Sequence, residues 1–307
     1  MKQYIRPGFL KEGDTVAVVA MASSLSDKSR QTLYWKELLE SWGLRVKLGK
    51  HLYDSEPGEF AGRDEDRAAD ITEMLLDPEV KALISFRGGY GSMRTVRALD
   101  TRLFAEHPKW LVGFSDITVF HALLRSLGME SIHGAMPSTI GPGAGDGSHV
   151  SEESLRKALF GQVRSYRTAP HPFSKCGQAR GRLVGGNLSL IHSCLRTPWE
   201  IRPRENHILL IEDVDERMYN IDRMLLTLQQ GGFFERASGI IVGQFTDTSG
   251  EDEWKRTVLD LVNEYMPADK PVLFGFDAGH EHPNYSLYLG REVTLDVTPD
   301  GGLLQFV

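Results

Sequence analysis

Through its first 130 residues the chain alternates short apolar runs with amphipathic helical patterns, and no other feature limits the fold so strongly. "TVAVVA" (15–20) precedes a helical pattern at 28–42, and "LRVKLG" (44–49) precedes another in "RDEDRAADITEMLLD" (63–77). "VKALISF" (80–86) and "KWLVGF" (109–114) follow, the second leading directly into a helical pattern at 116–127. Strand–helix alternation of this kind builds βαβ units on a parallel sheet. The apolar runs are nearly continuous, as they are in strands covered on both faces. In such open sheets ligands gather beyond the carboxyl ends of the strands. Three of those ends carry chemically useful residues: "MASSLSD" (21–27) after the first strand, "RGGYGS" (87–92) after the third and "GFSD" (113–116) after the fourth.

Residues 134–150, "GAMPSTIGPGAGDGSHV", are rich in Gly, Pro and Ser, and a second irregular stretch at 162–180 follows a short helical pattern. The domain linker is placed there, giving an N-terminal parallel-sheet α/β domain over 1–165 and a smaller C-terminal α/β domain over 175–307. The second domain contains "GRLVGGNLSL", the apolar run "HILLIEDVDE" (207–216), a helix at 217–230, the strand "SGIIVGQF", a helix at 251–266 and "PVLFGFDAGHEHPN" (271–284). At 307 residues, 41% hydrophobic and 25% charged, the chain has enough apolar material for two cores.

The formal charge of −7, with Lys and Arg scattered, argues against a partner bound through its phosphate backbone, so no nucleic acid is expected. The start, "MKQYIRPGFLKEGDTV", has a Pro-Gly pair and charges where a secretory signal needs an unbroken apolar run, which predicts a cytoplasmic protein. No stretch approaches the roughly 18 apolar residues of a membrane span. Cys176 and Cys194 are the only cysteines, lack a CxxC spacing and are expected to be free thiols.

Four segments are candidates for chemistry. In "WLVGFSDITVFHALL" (110–124), Ser115 sits where a strand meets a helix. It reads either as a nucleophile on a sharp turn or as a helix N-cap, the commoner role of such a serine. The hydrolase pattern G-x-S-x-G is half met, with Gly113 in place and Ile117 where the second glycine belongs. "FRGGYGS" puts three glycines in a turn after a strand, which frees N–H groups for an anion or an oxyanion. It lacks the G-x-G-x-x-G and Walker spacings of nucleotide sites, so no cofactor is expected.

"HILLIEDVDER" ends an apolar run in Glu212, Asp213, Asp215 and Glu216, which read as solvated loop acids or as a fixed carboxylate that orients a histidine. A divalent-cation loop would need a repeated D-x-D-x-D-G pattern that is absent. His280 and His282 in "DAGHEHPN" have no HExxH companion, so no metal is expected and one of them is a candidate general base. His107, His121, His133, His171, His192 and His207 read as surface or core. Together the candidates give a Ser on a turn, a Glu at a strand end and a His on a loop, the set that nucleophilic catalysis by serine requires.

"RGGYG" (87–91), "GFSDIT" (113–118), "GGNLS" (185–189), "LIEDVDE" with Tyr219 and "IDR" (210–223), and "GH" (279–280), in this order, resemble the LD-carboxypeptidases, also called muramoyltetrapeptide carboxypeptidases. The resemblance implies a serine peptidase with an N-terminal domain similar to class I amidotransferase-like folds. It further implies a Ser-Glu-His triad of Ser115, Glu212 and His280 in an interdomain cleft, and a homodimer. The backbone N–H of Asp116, with that of Gly88 or Gly89, would form the oxyanion hole. Arg87 and Asn187 would grip polar groups of a small peptide substrate, a murein tetrapeptide that loses its terminal D-alanine. Two features depart from the family pattern or bear on its branches. Met21 stands where the family has the proline of an "APS" turn, and no insertion of the kind carried by the related microcin C immunity peptidases lies between "GGNLS" and "LIEDV".

Overall fold

The computed structural model describes residues 4–24, 28–141, 143–203 and 206–307. Residues 1–3, 25–27 at the end of "MASSLSD", 142 in the Gly/Pro-rich stretch, and 204–205 lie outside that description. The chain divides into two units, Met1–Gln162 with His282–Tyr288, and Val163–Glu281 with Leu289–Val307.

The first unit contains β1 (Thr15–Val19), α1 (Lys28–Ser41), β2 (Arg45–Leu48), α2 (Asp64–Leu76), β3 (Val80–Ser85), α3 (Ser92–Ala98) and α4 (Leu103–Glu106). β4 (Trp110–Gly113) then passes through one 3-10 turn, Ser115–Ile117, into α5 (Thr118–Leu127), followed by β5 (Ser131–His133) and α6 (Ser148–Leu159). The strands lie in the order β2-β1-β3-β4-β5 and pair in parallel, with Leu287–Leu289 added beyond β5. This is a doubly wound order with its switch point between β1 and β3, where the loops after the strands diverge and ligands bind. β1 and β4 are buried along their whole length, which explains their unbroken apolar sequences. From Thr118 to Leu124 every residue of α5 is buried, and the helix stops at Gly128, whose φ of 75° makes a left-handed cap.

The second unit contains β6 (Ser165–Thr168), β7 (Gly177–Asn187), α7 (Leu188–Ser193), β8 (His207–Val214), α8 (Met218–Gln230), α9 (Phe233–Arg236) and β9 (Gly239–Thr246). It continues with α10 (Glu251–Trp254), α11 (Val258–Tyr265) and β10 (Val272–Leu273). Leu287–Leu289, the strand added to the first sheet, is β11, and β12 (Glu292–Thr298) and β13 (Gly301–Phe306) complete the second sheet. Its order is β10-β9-β8-β7-β12-β13-β6, parallel from β10 to β7 and antiparallel from there to β6.

Three sequence readings need adjustment. The stretch 162–180, read as irregular, holds the edge strand β6 and the start of β7; "SYRT" is too short and polar to announce itself. The helix expected at 251–266 is two helices, since Lys255 adopts φ 52° and Thr257 opens α11 with a capping box shared with Asp260. Residues 282–288 belong to the first unit. Tyr288 packs there against Phe9 and Trp110 at ring separations of 5.8 and 5.7 Å and donates its hydroxyl to the Ala158 carbonyl at 2.8 Å.

His121 is wholly enclosed on α5, and burial lowers its pKa from 6.5 to about 4, against a smaller raising effect of its bond to the Gly113 carbonyl. The folded protein therefore binds fewer protons than the unfolded chain between those values, and stability falls as pH drops from about 6.5 toward 4. This group should account for roughly 3 kcal/mol over that window. In urea denaturation at pH 7 and pH 4.5, His121→Gln should lose markedly less stability than the parent on acidification. Equal losses would show that His121 does not titrate as its burial requires.

Candidate active site

The first unit supplies the serine. Ser115 adopts φ 61°, a left-handed conformation that costs a non-glycine residue about 1–3 kcal/mol and persists only when its surroundings impose it. On one side Phe114 is extended (φ −152°, ψ −169°) and buried, its ring 5.6 Å from that of His133. On the other, Ile117 donates its N–H to the Phe114 carbonyl at 3.2 Å and Thr118 donates to the carbonyls of Ser115 and Asp116. A Cβ at Gly113 would stand 2.9 Å from Ile117 Cγ1, so Gly113 is what lets a branched residue occupy position 117. Ser115 is not an N-cap. Phe114 holds that position for the 3-10 turn and Ile117 for α5, and neither helix start receives a side-chain capping bond.

The loops after β1, β3 and β4 are tied to one another. Ser23 donates its N–H to the Gly88 carbonyl at 3.1 Å, and its Oγ both accepts from the Tyr90 N–H at 3.0 Å and reaches the Tyr90 carbonyl at 3.2 Å. Arg87 donates Nη1 to the Ser24 carbonyl at 2.8 Å. The carboxylate of Asp116, the residue after the serine, accepts the Ser92 N–H at 2.8 Å, joining the β4 loop to the start of α3. Burial raises the Asp116 pKa, against the bonds from Ser92 that lower it. Sequence reasoning valued Asp116 only for its backbone and missed this side-chain tie.

The tie sets Gly88 against the serine. A Cβ at Gly88 would lie 3.1 Å from Ser115 Cβ, 3.3 Å from Ser115 Oγ and 3.4 Å from the Asp116 nitrogen. At Gly89 (φ 89°) it would lie 2.5 Å from Ser23 Oγ. The glycine at 88 thus keeps open the space in front of both the hydroxyl and the Asp116 N–H.

The second unit supplies the carboxylate and the imidazole. Glu212 lies near the end of β8, opposite Asn187 of β7, with no solvent exposure. Its Oε2 is 3.0 Å from His280 Nδ1. A carboxylate only accepts, so Nδ1 carries the proton and Nε2 is left as the basic nitrogen. The His280 loop is held by β9: Gln244 donates its N–H to the Ala278 carbonyl at 2.9 Å, and Gln244 Oε1 accepts the Glu281 N–H at 2.8 Å. Burial lowers the basicity of His280, but the charge and hydrogen bond of Glu212, helped by Asp213 and Asp247, outweigh it and raise the pKa above 6.5.

The remaining acids have other tasks. Asp213 accepts from Asn187 Nδ2 at 2.8 Å, the Ser189 N–H at 3.0 Å and the Val214 N–H at 2.9 Å. Burial and the charge of Glu212 push its pKa up to about 7 against those three donors. Glu216 accepts from Ser189 Oγ at 2.7 Å and Asn220 Nδ2 at 2.9 Å. Asn187 also accepts the Leu190 N–H at 3.2 Å as N-cap of α7. Its buried amide thus holds both Asp213 and the start of α7.

His282 is not beside His280 in function. Its Nε2 lies 2.7 Å from the Thr139 carbonyl and its Nδ1 2.8 Å from Ser151 Oγ, all within the first unit. Among the described residues, metal-ligating atoms converge only at His51, Asp54 and Asp66, where Asp66 is already paired with Arg63 and His51 with Asp54. No helix of the described residues is long and apolar enough to cross a membrane.

The first unit thus carries a doubly wound sheet with a left-handed serine beside a glycine turn, and the second carries a sheet with a buried Glu-His pair. Residues 16–134 match the LD-carboxypeptidase N-terminal domain and residues 180–295 the LD-carboxypeptidase C-terminal domain. The probable murein peptide carboxypeptidase of Bacillus subtilis (strain 168) is 38% identical over 307 residues, spanning 98% of this chain and 94% of that protein. The muramoyltetrapeptide carboxypeptidase from Oxalobacter formigenes superposes with a TM-score of 0.82 at 25% identity, over 95% of this chain and 98% of that one. The microcin C7 self-immunity protein MccF, solved in complex with glutamyl sulfamoyl guanosine, superposes with a TM-score of 0.86 at 21% identity, over 100% and 99% of the two chains. The chain belongs to the LD-carboxypeptidase family and is a carboxypeptidase of that family.

Gly88→Ala tests the space at the serine. The added methyl should leave the fold intact yet lower kcat by about 10²-fold, the cost of losing one oxyanion donor or its access. Circular dichroism and kcat measured together check this, and full activity in a folded variant would show that the space is not used.

Proposed function

We propose that the protein is a serine LD-carboxypeptidase that releases the terminal D-alanine from murein tetrapeptides, acting in the cytoplasm on soluble cell-wall fragments. The observation that carries this reading is the left-handed Ser115 facing the open backbone at Gly88. The names of the relatives support the substrate: a probable murein peptide carboxypeptidase at 38% identity weighs more than MccF at 25%.

In the proposed reaction His280 Nε2 takes the proton of Ser115 Oγ as the oxygen attacks the carbonyl of the third residue. The tetrahedral oxyanion is met by the N–H of Asp116 and by that of Gly88 or Gly89, each donor contributing roughly 3–4 kcal/mol to the transition state. The resulting imidazolium is stabilised by Glu212, and it returns the proton to the amine of the leaving D-alanine. Water, deprotonated by the same nitrogen, then releases the acyl group from Ser115. The glycine turn and Arg87 would receive the terminal carboxylate through charge-assisted hydrogen bonds.

Ser115→Ala should fold normally and lose about 10⁴- to 10⁶-fold in kcat, and Glu212→Gln about 10³- to 10⁴-fold. Asp213→Asn should be milder. Because His280 must be neutral to act as base and its pKa is raised, kcat/KM should rise with pH through a value above 6.5, and Glu212→Gln should move that limb to lower pH. A crippled Asp213→Asn beside an active Glu212→Gln would mean that the wrong carboxylate has been named.

Substrate choice is tested by quantifying product from a free tetrapeptide, its C-terminal amide, its all-L analogue and an aminoacyl-adenylate analogue. Only the first should be cleaved efficiently, because amidation removes the charge that anchors the substrate and inversion of the last centre moves its carboxylate away from its donors. Rapid cleavage of the adenylate analogue, with none of the tetrapeptide, would assign the protein to the immunity-peptidase branch instead.

A further inference from the structure

His121 is a buried ionisable side chain that the proposed chemistry does not use. Its Nε2 lies 2.9 Å from the carbonyl oxygen of Gly113, the last residue of β4, and its Nδ1 lies 2.8 Å from Ser131 Oγ on β5. Since a carbonyl only accepts, the Nε2 position carries the proton, and the Ser131 hydroxyl donates to Nδ1 of the neutral ring. Two hydrogen bonds thus run in one direction, from β5 through α5 to β4. The Gly113 oxygen also accepts the Gly134 N–H at 3.1 Å, so both of its lone pairs are used.

That carbonyl belongs to the peptide group that leads into the turn. For Ser115 to relax out of its left-handed conformation, a peptide on its N-terminal side must rotate. The 114–115 peptide is restrained by Ile117, whose N–H bonds the Phe114 carbonyl, and the 113–114 peptide is restrained by His121 and Gly134. A residue that only filled the core would need neither of the two ring bonds.

We propose that His121 is a positioning residue for the reaction, locking the Gly113–Phe114 peptide so that Ser115 stays in the conformation that presents its hydroxyl. This rests on Ser115 as the nucleophile, and the experiment separates the two claims. His121→Leu removes the donor, whereas His121→Gln can place an amide N–H where Nε2 stands. Each variant and the parent are compared by melting temperature, by kcat and KM on the tetrapeptide, and by the rate of covalent labelling with a small fluorophosphonate, the adduct being located by peptide mass mapping. In His121→Leu, labelling and kcat should fall by about 10- to 100-fold, the cost of a nucleophile misplaced by about an ångström. KM should change by less than about 2-fold, and His121→Gln should recover most of the loss.

Labelling of His121→Leu at the parental rate would overturn the proposal. So would equal losses in both variants that track their melting temperatures. If His121→Leu does not fold, Ser131→Ala takes its place, since it keeps the ring but removes the donor that sets its tautomer. Slower labelling at unchanged KM then supports the proposal, and unchanged labelling overturns it. An adduct of the parent protein at a residue other than Ser115 would overturn the nucleophile assignment itself, and this inference with it.

Discussion

Ser115 is held at φ 61° by its neighbours, and the arrangement of the first unit follows from that constraint. A β-strand that ends in a left-handed serine turns sharply, so the hydroxyl leaves the buried sheet while the next residues enter a helix. The strain of about 1–3 kcal/mol must be offset by contacts that would be lost if the turn relaxed. Those contacts are specific: Phe114 buried against His133, Ile117 fitted over Gly113, Asp116 bonded to Ser92, and His121 bonded to the Gly113 carbonyl. Three of them bind the turn to β5, α3 and α5, and Ser23 ties the loop after β1 to the glycine turn after β3.

The second unit solves an electrostatic problem. A carboxylate with no solvent exposure loses several kcal/mol of hydration unless a partner compensates, and Glu212 has His280 at 3.0 Å as that partner. The same burial that costs hydration strengthens the pair, so the histidine is oriented and made more basic by one contact. Asp213, the adjacent acid, is held by two N–H donors at the start of α7 and by the N–H of Val214. Of four acids in five residues, Glu212 is turned to the histidine, while Asp213 and Glu216 support local structure.

Much of this was legible in the chain because parallel strands buried on both faces write themselves as apolar runs; β1, β3, β4 and β8 lie within runs recognised from sequence, and β9 runs one residue past its own. The antiparallel half of the second sheet was less legible. β12 and β13 alternate buried and half-exposed residues, and β6 has only four residues. Ser115, Glu212 and His280 were recognisable as residue types at strand ends. Nothing in "GFSD" encodes a positive φ, which is imposed by packing. The supporting side chains were missed because their partners are distant in sequence: Asp116 bonds a residue 24 positions away, Asn187 one 26 positions away. His121 was set aside as core, and burial alone could not reveal that its two nitrogens face specific acceptor and donor groups.

The central claim, that a left-handed Ser115 attacks a carbonyl whose oxygen turns toward Gly88 and Asp116, is tested most directly by a crystal structure of the enzyme with a peptide aldehyde ending at the third residue of the murein peptide. The account predicts a covalent bond from Ser115 Oγ to the aldehyde carbon, a positive φ at Ser115, and the hemiacetal oxygen within hydrogen-bond reach of the Asp116 N–H and that of Gly88 or Gly89. An adduct on another residue, or a Ser115 adduct with a relaxed backbone and its oxygen turned away from those donors, would contradict it.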